Sequence, residues 1–280
     1  MQGVAQLRPY SAMYYQNRYL GNPAMAAVGK GLDVNIGYLR QWMTVPGSPK
    51  AQYATGTYRF TDKVGLGLGV FNEKAGFFTT TKVAATYAYH LVLNPEKEQK
   101  LHFGLSAGVR KQRIDTDAIH GDIDDPLVTS FNDRPMYFDG DFGVAYTTKR
   151  LTIQAALPNI RATFESNTGE ANMPTFYSSV SYSFVLGATG SVGLEPMVAY
   201  RGVKAHGGLV DVGMNATFLD NTLNVFAMYH SSNNASLGAG LRITPMFRFT
   251  GMYLTGNSSG LAEYSKDNFE LGLQVLLNQK

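Results

Sequence analysis

The chain has 280 residues, a formal net charge of +3 and 44% hydrophobic residues. Its basic residues are dispersed rather than clustered, which excludes the charge pattern typical of a nucleic-acid-binding protein. No apolar run reaches the roughly 18 residues that a transmembrane helix needs, and the absence of cysteine excludes a cysteine nucleophile.

Apolar and polar side chains alternate along most of the chain. Val198 and Tyr200, for example, alternate with Ala199 and Arg201. Because side chains in a strand point to opposite faces with period two, this pattern predicts a sheet with lipid or a core on one face and water on the other. We place fourteen strands, at approximately 32–42, 50–60, 64–71, 79–91, 101–112, 136–147, 151–157, 175–186, 192–201, 208–218, 222–231, 236–244, 247–255 and 268–277.

The connections between these strands differ in length according to parity. Short turns follow even-numbered strands, as at 148–150 and 219–221, whereas the long connections 113–135, 158–174 and 256–267 follow odd-numbered ones. Outer-membrane barrels have short periplasmic turns and longer extracellular loops. The sequence therefore predicts an all-β protein, a 14-stranded antiparallel transmembrane β-barrel over residues 32–280, surrounded by outer-membrane lipid. A soluble β-sandwich is the alternative.

The start of the chain has neither the charged n-region nor the apolar h-region of a secretory signal. A location in the bacterial outer membrane therefore carries the expectation that a signal peptide has been removed. Residues 1–31 precede the first strand and are rich in aromatic residues and Asn, with Pro9, Tyr14, Tyr15 and Tyr19 among them. A stretch this apolar should pack on something, and the sequence leaves open whether it is lumenal or periplasmic.

The polar face of the predicted strands carries six acids and six bases. This balance favours a closed or nearly closed lumen, filled by hydrogen-bonded ion pairs, over a pore lined by one sign of charge. The predicted network comprises Asp33, Asp139, Asp141, Glu195, Asp211 and Glu270, together with Arg59, Lys82, Arg110, Arg201, Arg242 and Arg248.

No enzymatic or cofactor motif stands out. The glycines of the run 64–70 have period two with no helix after them, which is unlike a phosphate-binding loop. The five histidines have no metal-ligand spacing, and no Gly-x-Ser-x-Gly elbow is present. We therefore predict no catalytic, cofactor or metal site and no enzyme activity. The Asp-rich stretch 113–134 is interpreted as a solvated surface loop, with calcium binding left open.

Several short motifs recur in combination along nearly the whole chain. The most specific residues are Asn22, Pro23 and Ala24 in the N-terminal segment and Arg40, Gln41 and Trp42 at the end of the first strand. Further motifs are Leu157-Pro158-Asn159-Ile160 and Phe269-Glu270-Leu271-Gly272. With these motifs the chain resembles a known family, the PorP/SprF outer-membrane proteins of the Bacteroidetes type IX secretion system.

The resemblance implies an accessory role in protein transport and gliding motility that composition does not reveal. Members of the family are similar in helping to export or anchor cargo, such as adhesins with a type B C-terminal sorting domain. The partners that it implies are the C-terminal domain of a secreted cargo protein, the type IX translocon and periplasmic ring components. The alternative reading is a porin-like or FadL-like solute channel.

Overall fold

The computed structural model describes residues 12–43, 47–116, 126–161, 174–186, 191–203, 207–255 and 268–278. The elements bounded within these residues are three short 3₁₀ turns, at Met13–Tyr15, Arg18–Leu20 and Pro23–Met25, one helix α1 (Pro126–Asn132), and a series of strands joined by turns and loops. The strands are β1 (Leu32–Arg40), β2 (Lys50–Arg59), β3 (Val64–Ala75), β4 (Phe78–Asn94), β5 (Gln99–Ile114), β6 (Tyr137–Thr147), β7 (Leu151–Leu157), β8 (Pro174–Tyr182), β9 (Phe184–Leu186), β10 (Val192–Val203), β11 (Gly207–Phe218), β12 (Leu223–His230), β13 (Asn234–Arg242), β14 (Phe247–Leu254) and β15 (Asn268–Leu277).

The strands close into one antiparallel barrel. Each strand pairs with its neighbours in the chain, and β15 pairs with β1 in the register Leu32↔Leu277. β8 and β9 both pair with β10 and are separated only by Ser183, so they are two parts of one spanning strand. Counted this way, the described residues form fourteen strands, and the predicted fold is confirmed. Closure satisfies the backbone hydrogen bonds that a sheet edge would leave open.

The two ends of the barrel have different connections. At the end where β1 starts and β15 finishes, β2 leads to β3 through 60–63, β6 to β7 through 148–150 and β13 to β14 through 243–246. The connections 115–136 and 255–267 lie at the opposite end. Because outer-membrane barrels have short turns on the periplasmic side, we refer to the first end as periplasmic and to the second as extracellular.

Several predicted boundaries need correction. The first strand ends at Arg40, before the positive φ of 51° at Trp42. β3 and β4 extend beyond their predicted ends and meet in a tight turn at Gly76 and Phe77, because their pairing continues as far as Ala75 and Phe78. Within the predicted long connection 113–135, the helix α1 packs against the end of β5.

The outward face of the barrel is apolar and exposed. Leu105, Leu237 and Leu271 are 57%, 55% and 54% exposed, and each lies on the face predicted to contact lipid. None of the helices in the described part of the chain is long and apolar enough to cross a membrane.

Candidate functional site: the occupied lumen

Residues 12–31, which we call the lumenal segment, run through the inside of the barrel. The three 3₁₀ turns follow one another closely, and the last of them has a side-chain cap. At the last turn, Asn22 adopts an extended conformation, its Oδ1 accepts from Ala24 N at 2.9 Å, and Pro23 holds the first helical position. Ala12, Asn22 and Ala24 are completely buried, so the segment is enclosed by the barrel wall.

Hydrogen bonds connect the lumenal segment to many different strands. Tyr19 Oη lies 2.7 Å from Thr86 Oγ1 on β4, and Asn17 Nδ2 donates to Thr55 Oγ1 on β2 at 3.0 Å. Asn22 Nδ2 donates to the carbonyl oxygens of Val144 on β6 at 3.0 Å and Ala155 on β7 at 3.4 Å. The buried polar groups of the segment are thus satisfied by the wall.

The charged contact of the lumenal segment is made by Arg18. Its guanidinium forms an ion pair with Glu195 on β10 and donates to Thr152 Oγ1 on β7 at 3.1 Å. Tyr15 Oη donates to the carbonyl oxygen of the same Glu195. Since both charges are largely shielded from water, removal of either one would leave the other poorly solvated.

Glycines of the wall make room for the lumenal segment. A Cβ at Gly67 would lie 2.6 Å from Tyr19 Oη, one at Gly104 would lie 2.2 Å from Ala24 N, and one at Gly143 would lie 1.9 Å from Asn22 Oδ1. A larger side chain at any of these positions would require the lumenal segment to shift. Two of the period-two glycines of β3 therefore form part of the surface on which the segment rests: Gly67 and Gly65, where a Cβ would meet Ala26 O at 2.6 Å.

The extracellular half of the lumen contains an apolar core that we did not predict from the sequence. The strands contribute inward apolar side chains from opposite sides of the barrel, and the start of the lumenal segment packs among them. Its buried members include Met13, Tyr14, Leu20, Leu39, Tyr53, Tyr177, Met197, Phe226, Met228, Met252 and Leu254. The apolar run 225–229 in β12 was a signal for it, because the inward residues Phe226 and Met228 are apolar as well as the lipid-facing ones.

The twelve residues of the predicted ion-pair network all lie on inward positions, and two pairs form among them. Lys82 Nζ lies 2.9 Å from Asp141 Oδ2, and Arg201 Nε lies 2.6 Å from Asp211 Oδ2. Asp211 also accepts from Tyr14 Oη at 2.5 Å, which ties that pair to the lumenal segment.

The other members of the set have other partners. Glu195 pairs with Arg18 of the lumenal segment, a residue outside the predicted set. Asp33 accepts from Asn35 and Gln274, Asp139 accepts from the backbone nitrogens of Gly140 and Arg161, and Arg59 donates to the carbonyl oxygens of Val28 and Gly29. Arg110 donates to Asn159 Oδ1 at 2.8 Å.

Glu270, Arg242 and Arg248 form no ion pair with any residue that the structure describes. Glu270 is only 2% exposed, lies among apolar side chains, and its Oε2 has no hydrogen-bond partner among the described residues. Arg242 and Arg248 lie opposite each other on β13 and β14. The alternation in the sequence predicted equal numbers of acids and bases on the inward face but not which of them are adjacent.

One buried cluster has the Ser–His–Asp hydrogen-bond arrangement of a hydrolase triad. Ser236 Oγ lies 2.8 Å from His230 Nε2, and His230 Nδ1 lies 2.7 Å from Asp211 Oδ1. The residues come from β11, β12 and β13, so nothing in the sequence indicated that they lie close together. Ser236 is completely buried, and Asp211 is already bonded to Arg201 and Tyr14. A nucleophile needs an open space beside it for the reacting carbonyl, whereas Ser236 is enclosed, and we describe the cluster as a buried hydrogen-bond network.

The family-motif residues and the Asp-rich stretch lie at different places in the barrel. Of the family-motif residues, Asn22, Pro23 and Ala24 are in the lumenal segment, whereas Arg40, Gln41 and Trp42 are at the extracellular end of β1. In the Asp-rich stretch, Asp115 pairs with Lys74, and 117–125 lies outside the described residues. Among the residues that are described, no group of three or more His, Asp or Glu is placed to hold a metal ion.

A closed antiparallel barrel with an apolar exterior and short turns at one end is an outer-membrane protein. The family model for the type IX secretion system membrane protein PorP/SprF matches residues 3–275. The chain therefore belongs to the PorP/SprF family.

The fold is shared with a solved outer-membrane barrel at very low sequence identity. The toluene transporter TbuX of Ralstonia pickettii is 11% identical, with 92% of this chain and 93% of that chain covered and a TM-score of 0.54. Omp33 of Acinetobacter baumannii is 10% identical, with coverages of 89% and 100% and a TM-score of 0.49. The CymD monoaromatic hydrocarbon channel is 11% identical, with coverages of 97% and 93% and a TM-score of 0.47. Comparison with curated proteins gives no match.

Proposed function

We propose that this protein is a non-enzymatic component of type IX secretion that binds and anchors secreted cargo at the cell surface and does not conduct solutes. The observation that carries the proposal is the occupied lumen. The apolar core and the lumenal segment fill the interior and leave no passage for a solute between the two ends. The surfaces available to a binding partner are therefore the two ends of the barrel.

The extracellular end supports the binding part of the proposal. The longer connections of the chain lie there, and loops held by a rigid scaffold are the usual place for recognition. At this end the helix α1 is held against the end of β5 by hydrogen bonds. Asn132 of α1 exchanges two of them with the backbone of Ile114, at 2.7 and 3.0 Å. Phe131 of the same helix packs on Phe78, with ring centroids 5.7 Å apart.

A second ordered element lies beside it. After β7 the chain turns inward at Asn159, whose backbone N donates to Asp141 Oδ1 at 2.8 Å. The guanidinium groups of Arg110 and Arg161 lie 5.9 and 5.5 Å from the ring centroid of Tyr137. This arrangement presents a fixed polar and aromatic surface at the extracellular mouth, suited to holding a folded cargo domain. The periplasmic end would contact the secretion machinery.

Affinity purification tests the proposal. The purified chain, solubilised from outer membranes, should retain a secreted protein through that protein's C-terminal sorting domain, identified by mass spectrometry. An outer-membrane barrel from another family, tagged and extracted in parallel, serves as the control. Retention of no secreted protein, together with solute uptake that depends on this chain, would contradict the proposal and favour a channel. Hydrolysis abolished by a single substitution would instead indicate an enzyme.

A further inference from the structure

Two arginines face each other inside the periplasmic mouth. Arg242, near the end of β13, is directly opposite Arg248, near the start of β14, across the turn 243–246. Both occupy inward positions, in phase with Ser236 on β13 and Met252 on β14, which are buried inside the barrel. Residues directly opposite in an antiparallel pair have Cβ atoms about 4.5–5.5 Å apart, so the two guanidinium groups share one small region.

The partners of these arginines are neutral or missing. Arg248 donates to Asn224 Oδ1 at 3.1 Å, to Asn221 O at 2.9 Å and to Asn221 Oδ1 at 3.0 Å. Arg242 makes no side-chain hydrogen bond or ion pair with a described residue, and the Nε atoms of both arginines are shielded from solvent without a described partner. Donors of this kind are costly to leave unsatisfied.

Nearby acids do not neutralise the pair. The closest strand neighbour of Arg248 on β15 is Gln274, which donates to both carboxylate oxygens of Asp33 at 3.1 Å. Asp220 lies in the exposed turn next to Asn221 and forms no ion pair with a described residue. Like charges placed opposite each other destabilise a sheet. An anion bound between the two arginines would attract both and so replace this repulsion by a favourable interaction.

We propose that Arg242 and Arg248 bind the carboxylates of an acidic protein segment that enters the barrel mouth from the periplasm. Guanidinium groups bind carboxylates in a bidentate manner and are well suited to partly desolvated sites. The arginines point into the lumen, away from the lipid, so a phospholipid headgroup in the surrounding leaflet does not reach them. A protein segment that follows the axis of the barrel does.

The charge of the periplasmic rim supports an acidic partner. Basic residues outnumber acidic ones among the described residues of this end, and a field of one sign increases the rate at which an oppositely charged partner arrives. The basic residues of the rim and mouth are Lys30, Arg59, Lys63, Lys97, Lys100, Lys149, Arg150, Arg242 and Arg248, whereas the acidic ones are Asp33, Asp62, Glu96, Glu98 and Asp220.

Fluorescence anisotropy with a labelled hexaglutamate peptide tests the site on the purified full chain in a zwitterionic detergent. The double variant Arg242→Gln/Arg248→Gln should bind the peptide about tenfold or more weakly, since it loses charge-assisted hydrogen bonds. The matched control Lys149→Gln/Arg150→Gln removes the same charge from another turn of the rim and should lose less than about threefold. The double variant Arg242→Lys/Arg248→Lys keeps both charges but loses the bidentate geometry of the guanidinium groups. Its loss of peptide affinity should therefore be intermediate.

Three results would overturn the inference: no binding by the unchanged chain, an equal loss in both double glutamine variants, or competition by inorganic phosphate as strong, per charge, as that by the peptide. The last result would assign the site to free anions. A heat-modifiability gel should show that every variant remains a folded barrel.

This inference deepens the periplasmic part of the proposed function and rests on it for the side from which the partner comes. The two fail separately. Absence of peptide binding by the unchanged chain, with intact cargo retention, would refute the arginine site alone, whereas a chain that retains no cargo but binds the peptide at the arginines would refute the proposed function alone.

Discussion

Substitution of Gly104 tests whether the lumenal segment closes the barrel as described. A Cβ at this position would lie 2.2 Å from Ala24 N, 2.2 Å from the carbonyl carbon of Pro23 and 2.5 Å from its oxygen, whereas ordinary contact begins near 3.4 Å. The obstructing atoms are backbone, which cannot rotate away as a side chain can. In Gly104→Ala the segment must therefore shift by more than an ångström or leave its place.

Overpacking of this kind costs about 1–3 kcal/mol. If the cost falls on the docked state of the segment, the population with the segment displaced rises about 5- to 150-fold. Gly251→Ala is the matched control, because its Cβ would meet only Leu271 Cδ2, at 3.9 Å on the outward face.

The assay uses the absence of cysteine from the chain. A single cysteine in place of Thr55, which is 2% exposed and bonded to Asn17, becomes accessible to a water-soluble maleimide only when the segment moves. Labelling should be about 5- to 150-fold faster with Gly104→Ala and unchanged with Gly251→Ala. Equal rates in the two backgrounds, with both proteins folded, would refute the reasoning.

Three further predictions concern the buried network and the lipid face. Asp211→Asn keeps the shape but leaves the buried Arg201 without its carboxylate, so it should cost about 3–5 kcal/mol of unfolding free energy, measured by denaturant titration; an unchanged midpoint would contradict it. Ser236 should remain unlabelled by a fluorophosphonate, and labelling that Ser236→Ala abolishes would show a reactive serine. Leu105→Arg, in the middle of the lipid-facing surface, should cost about 2–4 kcal/mol, and Leu93→Arg, near the periplasmic end, about 0–1 kcal/mol; equal costs would argue against the membrane placement.

The barrel was largely predictable from the sequence because its signal is local. The face on which a strand residue lies depends only on parity, so runs such as those of β5 and β12 predict strand and face together. The errors were in the positions of the strand ends, because these depend on interactions other than the alternation of side chains. β1 stops two residues early because the backbone turns at Trp42, whose N donates to Asn268 Oδ1 at 3.0 Å.

The contents of the lumen were less predictable because they depend on contacts between distant residues. The space for Pro23 and Ala24 exists because Gly104 has no side chain, and nothing local in either stretch indicates the match. Similarly, Arg242 and Arg248 looked like two members of a balanced set. Their isolation from acids follows from the register of β13 and β14, which sequence alone does not assign.

Single-channel recording of the purified full chain in planar bilayers tests the central claim most directly. The lumenal segment and the apolar core that includes Tyr14 and Phe226 fill the interior, so the chain should insert without steady conductance steps. Reproducible steps of constant size, obtained with freshly purified folded protein and absent from detergent alone, would show an open passage and contradict the account.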